Sequence, residues 1–260
     1  MKIKLPILKI LFLIFVLTGF FIVKPVWADQ EMDDYSFQLE TYQKVYEEFK
    51  LSRNKFLKYQ VLSAREQVQE ALKNILLQRN KVLKAYFLLL KSRLNNSSQD
   101  LNPLIDEKIL FLDEKNEEID GLETASLDEL FSISDEIEEG EAEFDILAYK
   151  VVSEIILNRT RSLHQESVSL EKLIKEEIGK PEDSTESAKL NLWLKEVGVK
   201  NYLAEKEIEA SELNLSNLKS SKGRSKMMVY FNDLKIDCQD AQGHLEQAVS
   251  FQKEILLKLK

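Results

Sequence analysis

The chain has 260 residues, 31% of them charged and 44% hydrophobic, which excludes simple disorder and gives enough chain for one or two ordinary domains. Its net charge is −9. Met1 to Ala28 carries four lysines and no acid, so the remainder stands at −13, which argues against generic nucleic-acid binding.

The N-terminus reads as an export signal. Lys2, Lys4 and Lys9 form a positive start, and Ile10 to Val23 is an apolar run of 14 residues interrupted by Thr18 and Gly19. Val26 and Ala28 then suit the −3 and −1 positions of a signal peptidase site. A run of 14 falls short of the roughly 20 apolar residues of a spanning helix. Residues 1–28 are therefore expected to be a cleaved signal and residues 29–260 the mature domain. The alternative is an uncleaved anchor over residues 10–27, extended by Val26 and Trp27, with the lysines holding its start in the cytoplasm. Either way the body lies in a secreted or extracytoplasmic setting. Cys238 is the single cysteine, so no internal disulfide forms and stability rests on packing.

Beyond the signal the sequence is helix-forming almost throughout. No Gly or Pro occurs between Asp34 and Leu94, which predicts one very long helix reaching roughly 90 Å. Its apolar seam is Tyr35, Leu39, Tyr42, Tyr46 and Phe49. It resumes at Leu57, Val61, Ala64, Val68, Ala71 and Ile75, then Val82, Tyr86 and Leu89, with a stutter where the two parts join. Asn95 to Ser98 is a turn cluster. Asn102-Pro103 restarts a helix, with Asn102 as cap and Pro103 in the first turn, and Gly121 ends it.

Ser126-Leu127-Asp128-Glu129 is a capping box that opens a helix running to Ile178, with a kink or break possible at Gly140. Leu163, Leu170, Ile174 and Ile178 mark its later seam, and Gly179-Lys180-Pro181 stops it. The next helix, Ser184 to Ser221, carries Leu190, Leu194, Val197, Ala204, Ile208, Leu215 and Leu218. Gly223 separates it from the last, Ser225 to Leu259, whose stripe is Met227, Phe231, Leu234, Cys238, Ala241, Leu245, Ala248 and Ile255. The expected fold is all-α: an elongated antiparallel helical bundle or coiled coil of four or five helices, its first helix projecting from the bundle or pairing with the Leu127–Ile178 helix.

Charge is unevenly spread. Tyr35 to Asn95 holds 12 Lys/Arg against 5 acids, whereas the acidic stretch 106–145 holds 17 acids against Lys108 and Lys115. The expectation is that these segments lie together and partly neutralise one another. The competing reading, a cation site or a surface for a basic partner, lacks a D-x-D-x-D-G loop.

No catalytic, cofactor-binding or metal-ligating set can be assembled. His164 and His244 are the only histidines, and Arg161 and Ala241 occupy the positions three residues before them, where a di-iron bundle needs Glu. No zinc-ligand spacing occurs. Cys238 falls on the apolar stripe, and His244 lies on another side of the helix, so the thiol reads as structural. Ser52-x-x-Lys55 matches a Ser–Lys nucleophile motif by letter alone. The early aromatics Tyr35, Tyr42, Tyr46 and Phe49 read as helix seam, with a surface for a glycan or hydrophobic ligand as the alternative. Asn96, Asn158 and Asn214 begin glycosylation sequons that count only in a eukaryotic secretory host.

In architecture the chain resembles small exported bacterial coiled-coil proteins, some of them periplasmic chaperones or adaptors. It departs from those chaperones in being acidic. The expected function is non-enzymatic: a scaffold, spacer or adaptor of the cell envelope that meets protein partners or copies of itself through apolar helix stripes. It would touch membrane only through an uncleaved N-terminal segment. The alternatives are an extracytoplasmic ligand-binding bundle and a periplasmic-type chaperone.

Overall fold

The computed structural model describes residues 30–94, 98, 100–122, 126–178 and 185–259. The expected signal over residues 1–28, the Asn96 sequon and the Gly179-Lys180-Pro181 stop lie outside the described residues. Within them the chain forms six helices and no strand: α1 (Gln30–Tyr59), α2 (Leu62–Arg93), α3 (Asn102–Gly121), α4 (Leu127–Ile178), α5 (Thr185–Ser220) and α6 (Arg224–Lys258).

The single long first helix is corrected to two. The chain reverses at Gln60-Val61, where Gln60 takes a left-handed φ of 48°. Its N–H still donates to the Phe56 carbonyl (2.9 Å), which closes the end of α1. No Gly or Pro marks the turn because Gln60 itself adopts the left-handed conformation. The expected seam residues Leu57 and Val61 are exposed there, while Ala64 and Val68 return to the core. The stutter was therefore the phase change of a hairpin. Antiparallel packing of α1 on α2 brings Tyr35 to Tyr86 (ring centroids 5.9 Å) and lets Gln78 Nε2 donate to the Gln38 side chain (2.7 Å). This splitting also raises the helix number above the expected four or five.

From α2 to α4 each helix runs antiparallel to the one before. The α2–α3 pair is stitched by Lys84–Asp113 (2.7 Å) and Lys91–Asp106 (2.5 Å), with Lys73 donating to the Leu122 carbonyl (2.9 Å). Lys108–Glu143 (2.6 Å) and a Lys115–Glu136 pair join α3 to α4. The basic α2 and the acidic α3–α4 segment thus lie together and pair. Two details differ from expectation at the helix ends: Leu101, not Asn102, is the cap of α3, and Gly140 lies within continuous helix. The capping box holds, with the Glu129 N–H donating to Ser126 Oγ (3.2 Å) and the Ser126 N–H to Glu129 Oε2 (2.8 Å).

The longest element is α4, 52 residues or about 78 Å. Its first half packs on α2 and α3 and shares one apolar core with α1. Its second half passes beyond them and is flanked by the antiparallel pair α5–α6, forming a three-helix section. The seams expected for α5 and α6 are buried, residue for residue; on α4, Ile174 and Ile178 are buried but Leu163 is exposed. No described helix is long and apolar enough to cross a membrane.

Candidate functional site at the junction of the bundle halves

The two halves meet where the α5–α6 turn inserts against the middle of α4. Gly223 forms that turn with φ 111°, a conformation that side-chain-bearing residues rarely adopt. Helices on either side present Leu218, Met227 and Phe231, which enter the same apolar cluster as Phe87, Phe144, Tyr149 and Val152. Phe231 tilts against Tyr149 with centroids 5.0 Å apart. The second half has its own core around Leu157, Ala204, Leu234, Cys238 and Ala241, followed by one around Ile174, Val197, Ala248 and Ile255.

Two ion pairs bracket this joint. Arg224 Nη2 lies 2.5 Å from Asp145 Oδ2, and Lys219 pairs with Glu154. Asp145 and Glu154 are both buried, so each carboxylate depends on its cation for compensation. Burial pushes the Asp145 carboxyl up from the ordinary value, and the Arg224 guanidinium only partly offsets it. Glu141, one turn earlier, is raised first by burial and then by Asp145. Burial lowers the neighbouring Arg79, whose Nη1 stands 3.8 Å from Glu138. Arg79 Nε and Nη2 and the hydroxyls of Tyr35, Tyr42 and Tyr86 are buried without a hydrogen-bond partner. The early aromatic seam therefore encloses a polar interior.

The three-helix section carries its own polar layers. Ser167 Oγ donates to Asn201 Oδ1 (2.7 Å), Asn201 Nδ2 donates to Glu171 Oε2 (2.6 Å), and Gln252 Nε2 donates to the Ser167 carbonyl (2.8 Å). Gln242 Nε2 donates to Thr160 Oγ1 (3.2 Å), and Ser211 Oγ lies 3.3 Å from Cys238 Sγ. Each layer links helices that an all-apolar seam would leave free to slide, so the polar groups set their register.

The residues singled out from sequence are dispersed. Cys238 is fully buried, and burial pushes its thiol up, away from the reactive thiolate. His164 is on α4 and His244 on α6, both half-buried. Ser52 and Lys55 lie near the end of α1, Lys55 exposed. Asn158 contacts Ser98, and Asn214 donates to Asp237 (2.7 Å). Among the described residues no group of three or more His, Cys, Asp or Glu is arranged to hold a metal ion. An open groove of about 490 Å³ runs between α4 and α5, lined by Glu171, Lys175, Leu194, Lys195, Gly198 and Tyr202.

Sequence reasoning missed Asp145, Glu154, Lys219 and Arg224. The available signal was Asp145 itself, an acid set among Phe144, Leu147, Ala148 and Val152 on the buried side of α4. No known protein family, curated protein or solved structure matches this chain.

Proposed function

We propose that this chain is a non-enzymatic helical spacer or adaptor of the cell envelope. On this reading residues 1–28 direct export, and the folded body offers length and helix surfaces to protein partners or to further copies of itself. The supporting observation is α4: one 52-residue helix runs through both bundle halves, and its midpoint is held by Arg224–Asp145 and Lys219–Glu154. A spacer needs a fixed length, and a continuous helix braced at its middle supplies one. Surface stripes add contact chemistry: Leu192, Val199 and Leu213 recur on an exposed side of α5, and Val229, Ile236 and Leu257 on an exposed side of α6.

Light scattering and cross-linking in the envelope of a producing cell test this reading. It expects an oligomer or defined cross-linked partners, with intact mass showing loss of residues 1–28. A strictly monomeric chain that cross-links to nothing in the envelope overturns it.

The groove at Gly198 favours a second reading, a ligand-binding bundle. A Cβ at Gly198 would come within 3.2 Å of Glu171 Oε1, so glycine keeps that carboxylate's side of the groove open. The volume lies within the range of small-molecule sites, although the groove is open rather than enclosed. Gly198→Ala should weaken any ligand found there, as read by calorimetry.

A further inference from the structure

The end of the α1–α2 hairpin carries an apolar surface that the fold leaves bare. Leu57, Tyr59, Val61 and Leu62 are 53%, 58%, 51% and 72% exposed, and they cluster around the Gln60 reversal. Scattered single apolar residues on a surface are ordinary; four large ones around one helix reversal are not. Position in the fold explains the exposure. Lys73 reaches the carbonyls that end α3, so α3 stops level with that residue. Glu138 of α4 faces Arg79, and parallel register then places the start of α4 about level with Val68. Among the described residues, the hairpin continues past both for roughly two helical turns, or about 10 Å, as two helices alone.

The surrounding charge identifies the partner. Lys50 to Arg65 contains Lys50, Arg53, Lys55, Lys58 and Arg65 and no acid, in a chain that is acidic overall. Lys55, Lys58 and Arg65 are exposed, and Lys58 Nζ lies over the Tyr59 ring, 5.0 Å from its centroid. Apolar side chains at the extremity, a tyrosine beside them and a collar of cations with long stems match the layered chemistry of a lipid surface.

We propose that the Leu57–Leu62 tip inserts into the headgroup region of a membrane containing anionic lipid, with Lys55, Lys58 and Arg65 pairing to the headgroups. The acidic α3–α4 segment fixes the approach. The described carboxylates of α3 and α4 stand back from the tip by about the 10 Å over which salt screens charge, so end-on contact brings Lys55, Lys58 and Arg65 to the surface and leaves those carboxylates in water; Glu66, next to Arg65 on α2, is an exposed acid close to the tip. This goes beyond the spacer reading and does not rest on it, because insertion of the tip is independent of what the rest of the molecule holds.

The test uses the full chain with Val61→Cys carrying a nitroxide; the buried Cys238 takes no label in the folded protein. A label at Leu213→Cys on α5 is the control, since the N-terminal apolar segment can itself bring the chain to vesicles. Vesicles of phosphatidylcholine with an equal part of phosphatidylglycerol are compared with phosphatidylcholine alone. The expected result is that the label at 61 becomes protected from aqueous nickel and accessible to oxygen on the anionic vesicles, while the label at 213 stays in water. Combined Lys55→Glu, Lys58→Glu and Arg65→Glu should weaken that protection on the order of a hundredfold in lipid concentration. A label at 61 that remains in water on vesicle-bound protein overturns the proposal, as does equal protection at 213. Protection at 61 that rises with protein concentration and needs no vesicles overturns it in favour of a second copy's acidic surface.

Discussion

Asp145 is the residue where burial and charge oppose each other most directly. An acid whose folded pKa is raised favours folding when protonated. That contribution is full below the ordinary aspartate value and is lost as pH rises through the raised one. Stability of the native chain minus that of Asp145→Asn should therefore fall as pH climbs from about 4 toward neutrality, measured by urea melts at each pH. A flat difference would show that the carboxyl titrates normally. Asn201 is the other critical polar residue, accepting from Ser167 and donating to Glu171. Asn201→Ala removes both bonds and takes the acceptor from the buried Ser167 hydroxyl, and should cost about 1–3 kcal/mol in chemical denaturation.

At the scale of helices, Gln60 and Gly140 are opposite cases. Gln60 holds a left-handed conformation that glycine adopts without strain, so Gln60→Gly should raise stability by about 0.5–1 kcal/mol. Gly140 sits in regular helix, and an added Cβ would meet the Phe144 ring at 3.7 Å, an ordinary contact. Gly140→Ala should therefore stabilise by about 1 kcal/mol, read as a raised thermal midpoint. The pair also shows what the sequence disclosed. Later helices were legible because four-and-three spacing, the Ser126–Glu129 box and Gly223 agree with one another. The α1–α2 reversal was not, because its turn uses a residue with no punctuation value, and a phase slip alone does not distinguish a stutter from a hairpin. The junction of the halves was hidden for a different reason. Asp145 and Arg224 lie far apart in sequence, and periodicity reports which side of a helix is buried but not against what.

For the molecule as a whole, the junction decides whether there are two bundles or one. Leu218, Met227 and Phe231 belong to the last helical pair yet pack in the first core. Phe231→Ala should cost about 3–5 kcal/mol and reduce hydrogen-exchange protection in α2 as well as in α6. Loss confined to α6 would show that the halves melt separately. That interleaving also orders events in time. A ribosome delivers α1 to α4 first, but the aromatic interior around Phe87 and Tyr149 stays incomplete until residues near Gly223 emerge. The early product waits with part of its oily lining uncovered, and a chain cut short after Ile178 would keep that condition permanently, as ready prey for proteases.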